Sequence, residues 1–68
     1  MTFKQLREDA GLVQADIAAA LDVGQSAVSN WERGQGQPSR KYRQRLASML
    51  HCTMEELDMA IVETRGLV

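Results

Sequence analysis

Little in this chain can do covalent chemistry. It has one Cys and one His, and the two are neighbours, His51 and Cys52, which would point apart at a helix end. One Cys cannot close an internal disulfide or build a metal cluster, which fits a reducing compartment. One His leaves a zinc site without ligands. No loop rich in Gly is placed to cradle phosphate, and the carboxylates are scattered rather than paired. An enzyme is therefore excluded, and neither metal nor cofactor is expected. There is no apolar run of membrane length and no signal-peptide pattern, so a soluble cytoplasmic chain without a membrane partner is expected. Aromatics are few: Phe3, Trp31 and Tyr42. Sixty-eight residues make one small domain, and such a domain buries only about 60% of its unfolded surface. Stability should lean on a partner or a second subunit.

A positive balance is missing too, since the formal net charge is −1. That argues at first against nucleic acid, but the distribution removes most of the objection. Residues 33–53 hold five cations, Arg33, Arg40, Lys41, Arg43 and Arg45, and no Asp or Glu; the rest of the chain holds three cations and nine acids. Contact with a phosphate depends on the local field within a Debye length, roughly 8–10 Å. The acidic remainder predicts modest affinity per subunit and hence a need for dimerisation.

What is present is concentrated in residues 14–34, QADIAAALDVGQSAVSNWERG. A helix is predicted over 14–21, with Ile17, Ala18 and Leu21 on one face. A second is predicted over 25–32, with Val28 and Trp31 on a shared inner face. Asp-Val-Gly makes the tight turn between them. This is a helix-turn-helix arrangement, whose second helix can enter a DNA major groove. With Val28 and Trp31 inward, Gln25, Ser26, Ser29 and Asn30 face out. All four are uncharged and both donate and accept hydrogen bonds. Gln and Asn can bond an adenine edge in two places, and Ser can serve several bases. They are the candidate base-contacting residues.

The stretch resembles the Cro and lambda-repressor type helix-turn-helix family, the xenobiotic-response-element type. Gln14, Ala18, Val28, Trp31, the tetrad Gly24-Gln25-Ser26-Ala27 and the closing WERG at 31–34 carry the resemblance, which extends over about residues 3–60. It implies an all-α, compact five-helix domain with the helix-turn-helix at helices 2 and 3. It implies that Gln25, Ser26 and Asn30 touch base edges, and that Gln14 contacts phosphate while steadying Gln25. The loop and helix start after the motif would lie along the DNA backbone, making Arg33, Arg40, Lys41 and Arg43 phosphate candidates. It also pairs Arg7 with Glu32. Two positions depart from the family pattern. Asp22 stands where Gly usually takes a left-handed backbone, a conformation Asp tolerates better than most residues. Gly24 replaces the usual Ser or Thr cap, at a cost of about a few tenths of a kcal/mol.

Elsewhere, Thr2 and Gln5 fit a capping box for a helix to about residue 10, stopped by Gly11. Phe3, Leu6 and Ala10 form its buried stripe, and Leu12 and Val13 are expected as core and lead-in residues. Gly34 opens a loop over 34–38, and Ser39 is expected to cap a helix to about residue 50 with Tyr42, Leu46, Met49 and Leu50 inward. Thr53 and Glu56 fit a second capping box for a helix over 54 to about 62. The domain is expected to span 1–63, with a tail over 64–68. In the related compact domains this end carries the dimer contact. Ile61 is assigned both to the inward stripe and, with Met59, Val62 and Leu67, to an isologous two-fold interface.

These residues predict a sequence-specific double-stranded DNA binder, a small phage or prokaryotic repressor dimerising on a palindromic operator. The Met1 start and short tail favour a whole Cro-sized regulator over a fragment of a longer repressor. The alternative is an antitoxin or restriction-controller type module of the same fold, whose purpose is to bind a protein partner.

Overall fold

Local hydrogen bonding at the start of the chain sets the first helix. In the computed structural model, which describes residues 1–66, the Thr2 hydroxyl accepts from the Gln5 amide. The Thr2 N–H in turn donates to the Gln5 side chain, completing the capping box. This begins α1 (Phe3–Asp9), followed by α2 (Gln14–Leu21), α3 (Gln25–Glu32), α4 (Arg40–Met49) and α5 (Met54–Arg65). No strand occurs among the described residues, and the architecture is the expected all-α, five-helix domain with the helix-turn-helix at α2 and α3. Thr53 and Glu56 cap α5 in the same reciprocal way. At α2 the backbone N–H of Val13 donates to Asp16 Oδ2 at 2.9 Å, the one half of a capping box left when the N-cap valine has no side-chain acceptor for the Asp16 N–H. Ser39 does occupy the N-cap position of α4, but its hydroxyl makes no capping bond.

Four helices stop by one device. Gly11, Asp22, Gly34 and His51 all have φ between 54 and 74°, the left-handed region. After each, the next N–H reaches back to a carbonyl five residues earlier: Leu12 to Arg7, Val23 to Ala18, Gln35 to Asn30, and Cys52 to Ala47. The left-handed residue's own N–H closes a second, shorter loop in each case. This is the Schellman closure, which satisfies carbonyls that a helix end leaves orphaned. Two of the four stops carry a side chain where glycine is strain-free; His51 lies at the expected helix end, and its left-handed backbone is the unexpected feature.

Every helix contributes at least one fully buried apolar side chain: Phe3, Ile17, Val28, Leu46 and Leu57 are at most 1% exposed. Leu12 packs against this core, whereas Val13 is 59% exposed and belongs to the lead-in alone. Helix α5 packs on α1, α3 and α4, so it closes the core rather than hanging from it. It also runs past the expected stop near residue 62. Thr64, placed by sequence in a tail, is 1% exposed. Its Oγ1 accepts the Phe3 N–H at 2.9 Å and donates to the Ala60 carbonyl at 2.8 Å. The end of α5 is thereby fastened to the start of α1, inside the domain. No described helix is long and apolar enough to cross a membrane.

Candidate nucleic-acid interface

The inner face of α3 is set by two residues. Val28 is fully buried, and Trp31 is lodged between Phe3 and Tyr42, with ring centroids 6.3 and 6.4 Å away. The Phe3 contact is edge-on, a favoured aromatic geometry. That anchoring turns Gln25 and Ser26 to solvent and leaves Ser29 and Asn30 partly exposed, as the helical spacing predicts. Ala18, only 7% exposed, lies on α2 where it packs against α3, a crossing that a longer side chain would push apart.

A chain of polar contacts then holds α3 from behind. Arg7 of α1 donates through Nε to Glu32 Oε2 at 2.5 Å, through Nη2 to Glu32 Oε1 at 3.2 Å, and through Nη1 to the Leu12 carbonyl at 2.9 Å. The pair named by the resemblance is therefore present, and it is two-pronged and buried, with side chains 11% and 6% exposed. The hydrogen bond to Glu32 raises the Arg7 pKa above its ordinary value, against the lowering effect of burial, so the guanidinium stays charged.

Glu32 as a carboxylate accepts only, and its Oε1 also receives Gln14 Nε2 at 3.0 Å. This orients the Gln14 amide with its oxygen outward, where it takes Gln25 Nε2 in a long hydrogen bond of 3.4 Å. Amide direction is thus handed from a buried charge to the exposed helix face in two steps. Gln25 is left with its carbonyl oxygen and one N–H for a ligand.

The cations split into two groups. Arg40 and Lys41 are exposed on the first turn of α4, and Lys41 Nζ sits 5.0 Å from the centroid of the Tyr42 ring. The other three are engaged within the molecule. Arg43, expected at a phosphate, instead donates to the Pro38 carbonyl at 3.1 Å and Asp58 at 3.0 Å, because α4 brings it over the loop and against α5. Arg45 donates to the Ala20 carbonyl at the end of α2. Arg33 folds back along α3, onto Ser29 Oγ at 3.1 Å and Asn30 Oδ1 at 2.5 Å. Charge counted along the sequence does not show these bonds, because most of the acceptors are neutral oxygens and the one charged partner, Asp58, lies 15 residues from Arg43.

The proposed interface residues on α5 also divide. Met59 and Val62 are 69% and 67% exposed, but Ile61 is 5% exposed and committed to the core, so it is removed from any surface. It lies on the inward side with Leu57, four residues before it. Leu67 lies outside the described residues. Cys52 packs against the core; burial, then the nearby Glu56 charge, push its thiol pKa up, which disfavours the reactive thiolate. Among the described residues no group of His, Cys, Asp and Glu is placed to hold a metal ion.

Neither curated proteins nor solved structures gave a match to the chain. A family profile described as helix-turn-helix matches residues 3–57, from the start of α1 through the first turn of α5. With that match over most of its length, the chain belongs to the Cro/lambda-repressor type helix-turn-helix family of DNA-binding regulators.

Proposed function

We propose that the protein is a small cytoplasmic repressor of a phage or prokaryote, binding a palindromic operator as a homodimer with α3 in the major groove. The observation that carries this reading is the outer face of α3. Its own helical residues, Gln25, Ser26, Ser29 and Asn30, are uncharged and rich in paired donors and acceptors, and Gln25 is oriented by the Arg7–Glu32–Gln14–Gln25 relay. Gln25 retains an acceptor and a donor side by side, the pair an adenine edge requires. Ser26, Ser29 and Asn30 continue the reading surface. Gln14 keeps a second N–H for a phosphate, and Arg40 and Lys41 stand at an α4 N-terminus whose cap hydroxyl is unused. Backbone N–H groups there add to the field for an anion. Two copies on successive grooves would set their recognition helices about 34 Å apart.

Selection from a random duplex pool, followed by titration of the winner at two salt concentrations, tests this. The expected result is a palindrome with half-sites one helical turn apart. Gln25→Ala should then lose about 1–3 kcal/mol of discrimination at one base pair, while Arg40→Ala weakens all sequences alike and lowers the salt slope. Weak, purely salt-dependent binding without an enriched sequence would defeat the proposal. It would favour the second reading, a module for a protein partner, which the exposed Met59 and Val62 on α5 support.

A further inference from the structure

Arg33 sits just past α3 as its C-cap, and its guanidinium reaches back over the last turns of that helix. Nη1 donates to Ser29 Oγ at 3.1 Å and Nη2 to Asn30 Oδ1 at 2.5 Å. Three exposed or half-exposed polar side chains on the outer face are thus joined by one planar fork. The consequence for Asn30 is directional. A free Asn offers a base both an acceptor and donors; a charged donor on Oδ1 occupies one of its two lone pairs and leaves both Nδ2 hydrogens available, which tilts the amide's offer towards donation. Arg33 itself has only donors and a full positive charge. The Arg33–Asn30 pair therefore presents donors to a ligand that supplies acceptors.

The adenine edge in the major groove mixes an acceptor with an amino donor, and the cytosine amino group is a donor. Guanine alone shows two adjacent acceptors, N7 and O6. Resting on the proposed major-groove binding of α3, we propose that Arg33 is a positioning and specificity-determining residue, which fixes Asn30 as a donor and makes this end of α3 read guanine. This differs from the phosphate role that its place after the helix suggests. It also divides the face into two readers of opposite demand. Gln25, oriented by Gln14, offers a mixed donor and acceptor pair. Asn30, oriented by Arg33, offers donors.

The test is the duplex selection run on the wild type and on Arg33→Ala, Arg33→Lys and Asn30→Ala. Circular dichroism confirms the fold of each; Arg33 is exposed and outside the core. The base pair read by Asn30 is the one whose preference Asn30→Ala abolishes. The expected wild-type letter there is guanine. Arg33→Lys keeps the charge but loses the planar fork, so both Arg33 variants should lose that preference by about tenfold while the Gln25 position keeps its own.

If Arg33→Lys behaves as wild type and Arg33→Ala only weakens every sequence with a smaller salt slope, Arg33 is a phosphate contact and the inference fails. An adenine selected by the wild type at the Asn30 position also overturns it. A wild type that enriches no sequence removes the major-groove reading itself, and the inference with it. That result is distinguishable because it appears before any variant is compared.

Discussion

At the scale of single residues, one buried carboxylate joins three helices. Glu32 takes Arg7 on both oxygens and Gln14 on one, so it ties α1, α2 and α3 through charge-assisted bonds. Removing one partner of such a pair leaves the other charge buried and uncompensated, which costs far more than the pair contributes over an apolar replacement. Arg7→Ala should lower stability by about 3 kcal/mol, seen as a lower urea midpoint at unchanged slope. Arg7→Lys should lose part of that, because an ammonium cannot meet both oxygens and the Leu12 carbonyl at once. A midpoint unmoved in Arg7→Ala would show that the tie carries no stability. Part of this was legible in the sequence, since family resemblance placed Arg7 opposite Glu32. The fates of Arg33, Arg43 and Arg45 were not. Each found a neutral oxygen within reach, Arg43 together with the Asp58 carboxylate, and such acceptors are everywhere along a chain until folding selects one.

Among the helices, the stops hold the clearest reserve of stability. Asp22 and His51 adopt φ of 56 and 54°, where a Cβ meets the following carbonyl. Asp22→Gly and His51→Gly should each raise stability by about 0.5–1 kcal/mol, relief of backbone strain outweighing the greater freedom of glycine when unfolded. Thermal midpoints decide it; a fall would mean that the side chain supplies local contacts worth more than the strain. Helix starts and stripes were readable in advance because caps and apolar spacing are local signals. The end of α4 near residue 50 was readable too, but not the left-handed backbone of His51, because no glycine marks it.

Thr64 was invisible for a different reason. A threonine near the end of a chain looks like tail, and only its partner 61 residues away reveals it as core. Thr64→Val keeps the shape but strands the Phe3 N–H, and should cost about 1–3 kcal/mol; Thr64→Ser, which keeps both bonds, should cost less. Equal losses in chemical denaturation would count against the hydrogen bond.

For the whole molecule, charge is segregated. Arg40 and Lys41 lie on the first turn of α4, while α5 exposes Glu55, Glu56, Asp58 and Glu63 around Met59 and Val62. On the α5 surface proposed for dimer contact, Asp58 is paired with Arg43 and Glu63 with the N-terminal ammonium, which leaves Glu55 and Glu56 as the like charges beside the apolar patch, and salt should act on the two associations in opposite senses. Added salt screens these two carboxylates and tightens the dimer, while it loosens the grip on DNA through loss of counterion release. Sedimentation across a salt series should show the first, and Met59→Asp with Val62→Asp should leave a folded monomer at every concentration tested. A dimer that survives both changes would have to use another face. The body measures 26 × 23 × 22 Å, small enough for two touching copies to span one turn of duplex.

The relay behind α3 has a calorimetric consequence. A helix already clamped at its base and closed at its end has little left to order when it meets a duplex. Its association should follow rigid-body docking, with a heat-capacity change accounted for by the covered surface alone. Coupled folding would add a larger negative heat-capacity change and an unfavourable entropy. With Arg7→Ala the clamp loosens, and both signatures should grow in titration calorimetry even where the final complex is the same.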